Sequence, residues 1–235
     1  MDLRNYTILS FDCYGTLIDW DAGLASQLRR IAPDMTDDEL LKQYSVFEAE
    51  IEHASPTTLY RDVVRQAATR LAESLGRDIS DALAADIGGS VGSWPPFPDS
   101  VEALATLKQH CKLVVLSNVD RQSFAGSSTQ LGDPFDTVIT AEDVGSYKPN
   151  LRNFEALLEH IDGLGIDRSQ HLHVAQSLFH DHAPAQELGI DSVWINRRHG
   201  KSGEGASGPS LDVVPQAEFP DMASFTAALV EAKQG

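Results

Sequence analysis

FDCYGTLIDW, residues 11–20, is the stretch on which the reading of the chain turns. Ahead of it, Tyr6–Phe11 is an apolar run of strand length. Asp12 follows directly, and Gly15-Thr16 then marks a tight turn. A carboxylate just beyond an apolar strand is placed for chemistry at the end of a sheet. The plain alternative is an aspartate that only caps its turn. Which reading holds depends on what the rest of the chain brings beside Asp12.

Working outward, short apolar runs alternate with helical patterns, as in a parallel sheet with helices on its faces. Lys112–Leu116 (KLVVL), Phe135–Thr140, His171–Ala175 and Ser192–Asn196 read as further strands. Between the first strand and KLVVL, residues 20–95 show helical periodicity and no strand. Thr36 and Glu39 form a capping box, after which Leu40, Leu41, Tyr44, Phe47 and Ile51 share a helix face. Ser55-Pro56 reads as the start of a second helix through Leu59, Val63, Val64, Ala67 and Leu71, and Ser80 opens a third. Asp99 reads as the cap of a helix facing Val101, Leu104 and Leu107 inward. A helix follows from about Asn150 to His160, another ends at Gly189, and Phe225, Leu229 and Val230 mark a closing one. Residues 199–209, HGKSGEGASGP, read as a Gly/Ser-rich loop. The expectation is an α/β fold, a doubly wound Rossmann-like parallel sheet with an inserted helical cap. Residues 1–19 and 96–235 would form the core and 20–95 the cap, a lid over the carboxyl ends of the strands.

Composition excludes several classes. The 235 residues carry a formal net charge of −17, which disfavours nucleic acid or an anionic membrane as partner. No apolar run approaches the roughly 20 residues of a membrane span. Met1 leads into Asp2-Leu3-Arg4 without a secretory pattern. Cys13 and Cys111, each in apolar sequence, read as buried thiols of a reducing compartment. A soluble, cytoplasmic protein acting on a small molecule is expected.

Four positions fall at the strand ends: Asp12, Ser117-Asn118, Lys148 and Asp181. Each has an ordinary reading, as turn cap, turn residues, surface lysine or helix cap. Taken in this order they resemble the haloacid dehalogenase superfamily, with its Asp-x-x-Gly-Thr, Ser/Thr, Lys-Pro and terminal acidic motifs. The chain looks most like the type II 2-haloacid dehalogenases, which have Asp-x-Tyr-Gly-Thr where phosphatases have Asp-x-Asp-x-Thr. PFPDSVEALATLKQH, LVVLSN, SYKPNLRNFEALLEH and SVWINR extend the resemblance across most of the chain.

The resemblance implies that Asp12 attacks the alpha carbon of a 2-substituted carboxylic acid and forms an ester. Lys148 would keep Asp12 ionised, and Thr16 with the turn amides would hold its second oxygen. Ser117 would bind the substrate carboxylate, with Asn118 toward the leaving group, and Asp181 would direct the hydrolytic water. Tyr14 and Trp20 would wall the pocket, with Ser177 and His180 beside the substrate. No cofactor or metal is implied, and a homodimer is compatible with the family's habits. A phosphatase would need an acid at position 14 and a Mg²⁺-binding carboxylate at position 176, where this chain has Tyr14 and Gln176. A non-catalytic scaffold would need none of the motif residues Asp12, Thr16, Lys148 and Asp181. His171 and His173 share a strand face, yet no Cys or Glu joins them as a metal set.

The chain also departs from the dehalogenases. No arginine lies between Arg30 and Arg61, and Gln43 stands where those enzymes carry the arginine that cradles the halide. Phe154 replaces a tyrosine near the lysine motif. A pocket without that arginine also fits a strained ring such as azetidine-2-carboxylate, opened by the same attack.

Overall fold

The computed structural model describes residues 1–199 and 212–235; the proposed Gly/Ser-rich loop lies, from Gly200 onward, outside them. Six strands form one sheet: β1 (Ile8–Phe11), β2 (Lys112–Ser117), β3 (Thr137–Thr140), β4 (His171–Ala175), β5 (Ser192–Ile195) and β6 (Ala217–Phe219). Their order is β3-β2-β1-β4-β5-β6, and every pairing is parallel. β1 is central and buried on both faces, which explains its uninterrupted apolar sequence. β2 lies on one side of it and β4 on the other. Strand order therefore reverses at β1, and ligands of such sheets bind in the crevice beyond that point. Asp12 is the first residue there.

Side chains alternate across the sheet. Ile8, Val114 and Leu116 pack on one face with Phe154, Leu157 and Ile161 of α8 (Leu151–Gly163). Leu9, Phe11, Val115 and Val174 belong to the opposite cluster, with Leu104 of α5 (Ser100–Leu107) and Phe225 of α10 (Met222–Gln234). That cluster runs on into α1 (Trp20–Leu28), α2 (Asp37–Ala54), α3 (Tyr60–Ser74) and α4 (Asp81–Gly89), through Leu24, Leu40, Val63 and Ile87. The inserted helices thus share a buried core with the sheet. The approach is close at one point: a Cβ on Gly23 would overlap the side chain of the buried Trp94.

Local signals explain the helix starts. The Thr36–Glu39 capping box opens α2, with the Glu39 carboxylate accepting from Thr36 N at 2.9 Å. Ser80 caps α4 through Leu83 N. Three expectations are corrected. α3 begins at Tyr60, not at Ser55-Pro56, because residues 55–58 form a turn whose Thr58 carbonyl accepts from the Tyr147 hydroxyl at 2.6 Å. Asp99 makes no cap bond to α5; its carboxylate is held by Arg197 and accepts from Met222 N at the start of α10. β3 begins at Thr137, since Phe135 packs edge-on to Phe11 at 6.2 Å and Asp136 accepts from Leu113 N. α6 (Arg121–Gln130), α7 (Ala141–Val144), α9 (Ala183–Glu187) and β6 complete the fold. Of these, α6, α7 and β6 were not foreseen, being short or poor in apolar residues. Cys13 and Cys111 are buried free thiols. Among the described residues no helix is long and apolar enough to cross a membrane.

Candidate active site

Parallel pairing brings the carboxyl ends of β1, β2 and β4 to one edge, and there four motif residues meet. Asp12, Lys148 and Asp181 are 7%, 2% and 0% exposed. Lys148 Nζ donates to Asp12 Oδ1 at 2.9 Å, Asp181 Oδ1 at 2.7 Å and the Leu116 carbonyl at 3.0 Å. An ammonium has three protons, so this one is fully committed. Thr16 Oγ1 donates to Asp12 Oδ2 at 2.6 Å and accepts from Gln176 N at 2.9 Å. Gly15, at φ +88°, makes the turn that returns Thr16 to its aspartate. The turn amides expected to share in holding Asp12 instead bond carbonyls of the loop, Gly15 N to Ile18 and Thr16 N to Cys13.

Three charges in one dry site set one another's state. Burial opposes the charge of Lys148, but the two carboxylates beside it hold its pKa above the usual lysine value. Burial pushes Asp12 up, against the pull of Lys148, with the Asp181 charge adding to the rise and the Thr16 bond opposing it. Asp181 is also penalised by burial, yet Lys148 and His173 together bring it well below the ordinary carboxylate range.

The support beneath Asp181 was not anticipated. Ser10, on β1, lies 2.7 Å from both His171 Nε2 and His173 Nδ1, and His173 Nε2 lies 3.0 Å from Asp181 Oδ1. One proton arrangement satisfies all three bonds: His173 donates to Asp181, Ser10 to His173, and His171 to Ser10. A serine in the apolar run of β1, opposite two histidines spaced by two, was the signal available in the sequence. Burial lowers His171 to about 3 and His182 to about 4, so both are held neutral. His182 bonds Ser192 Oγ and the Ala175 carbonyl. The histidines are thus engaged as hydrogen-bonding groups.

Other expected residues are placed differently. The Asn118 side chain is spent on the Lys148 backbone, accepting from N at 2.6 Å and donating to O at 3.1 Å; it positions the lysine. Ser117 Oγ is buried at the edge of β2 and has no hydrogen-bond partner among the described residues. Ser177 caps the turn after β4 through His180 N and lies 3.2 Å from His180 Nδ1; burial takes His180 down to about 4. The Tyr14 hydroxyl lies 2.7 Å from Ser127 Oγ, and its ring stands edge-on to Trp94. Arg197, beyond the last strand named from sequence, donates twice to the Thr16 carbonyl and is held by Asp99, fixing the turn from behind.

The helical face opposite carries its own polar set. Trp20 Nε1 donates to the Tyr60 hydroxyl at 3.0 Å, which donates to Glu48 Oε1 at 2.7 Å. Glu48, Glu52 and Tyr44 follow at helical spacing along α2. Burial raises Glu48 to about 7 and, together with the Glu48 charge, lifts Glu52 well above its usual range; the charge of Lys148 reaches Glu52. Gln43, on the neighbouring stripe, is half-buried and its side chain bonds no described residue. The helices are tied to the sheet by Tyr147 to Thr58 and by Arg61, which donates from its backbone and guanidinium to the buried Asp120.

Among the described residues no three His, Cys, Asp or Glu side chains are placed to hold a metal. An ammonium lies between the two strand-end acids, and an amide, Gln176, follows β4.

Comparison with known proteins shows the family. The chain is 27% identical over 207 residues to an (S)-2-haloacid dehalogenase of Pseudomonas sp. (strain YL), covering 80% of this chain and 82% of that one. It is 30% identical over 112 residues to the pyrimidine 5'-nucleotidase YjjG of Escherichia coli (strain K12), 47% of this chain and 49% of that one. An L-2-haloacid dehalogenase structure from Xanthobacter autotrophicus superposes with a TM-score of 0.80 at 21% identity, over 96% of this chain and 98% of that one, a likeness of fold. The family of haloacid dehalogenase-like hydrolases matches residues 6–175, from the first residue of the β1 run to the last of β4. With well over half of its length inside that match, the chain belongs to the haloacid dehalogenase-like hydrolases.

Proposed function

We propose that the protein hydrolyses a 2-substituted carboxylic acid by displacement at its alpha carbon, through an ester on Asp12. The observation that carries this reading is Lys148, bonded at once to Asp12 and Asp181 in a buried site. Carbon displacement needs an oriented, ionised oxygen. Thr16 and Lys148 hold one Asp12 oxygen each, leaving lone pairs for attack. Ser117 Oγ, with no partner among the described residues, serves the substrate carboxylate.

In the first step Asp12 forms a bond to the alpha carbon and the leaving group departs with its electron pair. In the second, water attacks the Asp12 carbonyl carbon, and the 2-hydroxy acid leaves as Asp12 regains its carboxylate. Asp181 Oδ2 has no partner among the described residues and orients that water. For a halide, the sum is one water consumed and one proton released with the halide ion. Helices α1–α4 act as a cap over the strand ends.

The part-length likeness to a nucleotidase raises phosphate ester hydrolysis as a second reading. Tyr14 argues against it: a phenol, whose pKa burial raises further, replaces the acid that would protonate a leaving alcohol. Multiple turnovers in ordinary water, then a single turnover in H₂¹⁸O, test the main reading. Label must appear in the peptide bearing Asp12, and the Asp12→Asn variant must lose about 10⁴-fold or more in rate. Label confined to product in the first turnover, or phosphatase activity abolished by chelation, would reject it.

A further inference from the structure

Other acids of α2 pair with arginines, Asp37 with Arg29 and Glu50 with Arg70, but Glu48 and Glu52 have no such cation among the described residues. Glu48 accepts one hydrogen bond, from Tyr60, and neither Glu48 nor Glu52 forms an ion pair with any described residue. Isolated carboxylates cost several kcal/mol to desolvate unless something neutralises them. Both are partly accessible, yet burial dominates their ionisation. Glu48 is bonded to the buried Tyr60 of α3 and Glu52 lies one turn further along the same stripe, so both sit on the side of α2 that meets α3.

A second observation points the same way. Tyr44 is fully buried, its hydroxyl completes no hydrogen bond of ordinary geometry among the described residues, and Glu48 and Glu52 are the charges that act on it most, Glu48 also drawing weakly on the hydroxyl. The rings around these acids are aromatic: Trp20 stands edge-on to Tyr44 at 6.2 Å, and Tyr60 lies 6.5 Å from Tyr14. Carboxylates among aromatic rings make a receptor for a cationic nitrogen. The strand-end set sums to one negative charge, from two carboxylates and one ammonium, before an acid substrate adds another.

We propose that Glu48 and Glu52, with Trp20, Tyr44 and Tyr60, bind a protonated amine of the substrate, which is a zwitterionic amino acid whose nitrogen is the group displaced. This rests on the Asp12 displacement. An amine leaves saturated carbon readily only when ring strain is released, which selects a small cyclic amino acid such as azetidine-2-carboxylate. Asp12 bonds to the alpha carbon as the carbon–nitrogen bond breaks, and the pair stays on nitrogen. Water then supplies hydroxyl to the acid and the third proton to the amine. The product is 4-amino-2-hydroxybutyrate, with neither anion nor proton released.

Two measurements decide it. In the Asp12→Asn protein, calorimetry compares azetidine-2-carboxylate with cyclobutanecarboxylate, a ring acid lacking the nitrogen. The amine should bind at least about tenfold more tightly, and Glu48→Gln with Glu52→Gln should reduce that preference to about twofold. Equal binding of the two acids, a preference that survives both substitutions, or a pair saturated by Mg²⁺ instead of the amine overturns the inference. In the unsubstituted protein, turnover of azetidine-2-carboxylate should exceed that of 2-chloropropionate in kcat/KM. Turnover of 2-chloropropionate alone, with ¹⁸O entering Asp12, sinks the amine while the displacement stands. Absence of label from Asp12 with either acid sinks both.

Discussion

Two pairs of carboxylates, one at the strand ends and one on α2, answer to the same lysine in different ways. Asp12 and Asp181 share Lys148 directly, with Thr16 and His173 filling further bonds. Its charge reaches Glu52 only at a distance, and neither Glu48 nor Glu52 has an ion-pair partner among the described residues. The first pair is charge-compensated within the protein, with Asp181 Oδ2 left open, and its geometry is fixed before anything binds. The second is incomplete, and its protonation is left to burial. The sheet edge therefore has the character of a reaction centre, where preorganised charge lowers barriers. The helical face has the character of a recognition surface, finished by the ligand.

The sharpest way to break this contrast is to remove the shared ammonium. Lys148→Met leaves two buried carboxylates facing each other without compensation, a loss of about 3–5 kcal/mol in stability. Urea unfolding at pH 7 measures it, and turnover should vanish with it. A loss below about 1 kcal/mol would mean that the strand-end pair is no more complete than the one on α2.

Acid titration separates the two regions by sign. His171 and His182 take protons in the unfolded chain near the ordinary histidine value of 6.5, but in the folded protein only near 3 and 4. Unfolding is thus favoured as pH falls from 6.5 to 4, each histidine costing about 1.4 kcal/mol per pH unit. Glu48 behaves oppositely: its folded value of about 7 exceeds the ordinary glutamate value of 4.5, so the folded state binds the extra proton between them. Its share of stability is present below 4.5 and is lost as pH rises through 7. Stability measured from pH 7 to 4.5 should consequently fall more steeply in Glu48→Gln, by about 1.4 kcal/mol per pH unit. An unchanged slope would place Glu48 in water and erase the contrast.

The smallest effect is expected beneath the reaction centre. Ser10→Ala removes the bridge between His171 and His173, leaving buried nitrogens unsatisfied at about 1–3 kcal/mol. If the bridge also fixes His173 toward Asp181, hydrolysis of the ester should slow more than its formation. Burst kinetics would then show an ester accumulating that is absent from the unsubstituted protein.

Legibility from sequence followed the range of the forces involved. The continuous burial of β1 and β2, the capping box of α2 and the apolar stripe of α3 depend on neighbours close in the chain, and all are present. Asp99 and Phe135 failed as local signals because distant partners claimed them: Arg197 and Met222 for the one, Phe11 for the other. Asn118 was visible as a residue at a strand end, but its use as a clamp on Lys148 depends on a loop thirty positions on. Ser10 and the α2 acids were overlooked for a related reason. A serine inside a strand and two glutamates on a helix are ordinary until the fold shows what surrounds them.

Sequence alone determined that an aspartate would stand at the end of a buried strand, since hydrophobic periodicity and a Gly-Thr turn are properties of adjacent residues. It also brought Lys148 and Asp181 to the same edge, because parallel strands must end together. Only the tertiary structure decided that one ammonium would be shared between two acids while two others were left among aromatic rings. That outcome depends on which side chains, far apart in the chain, are desolvated together.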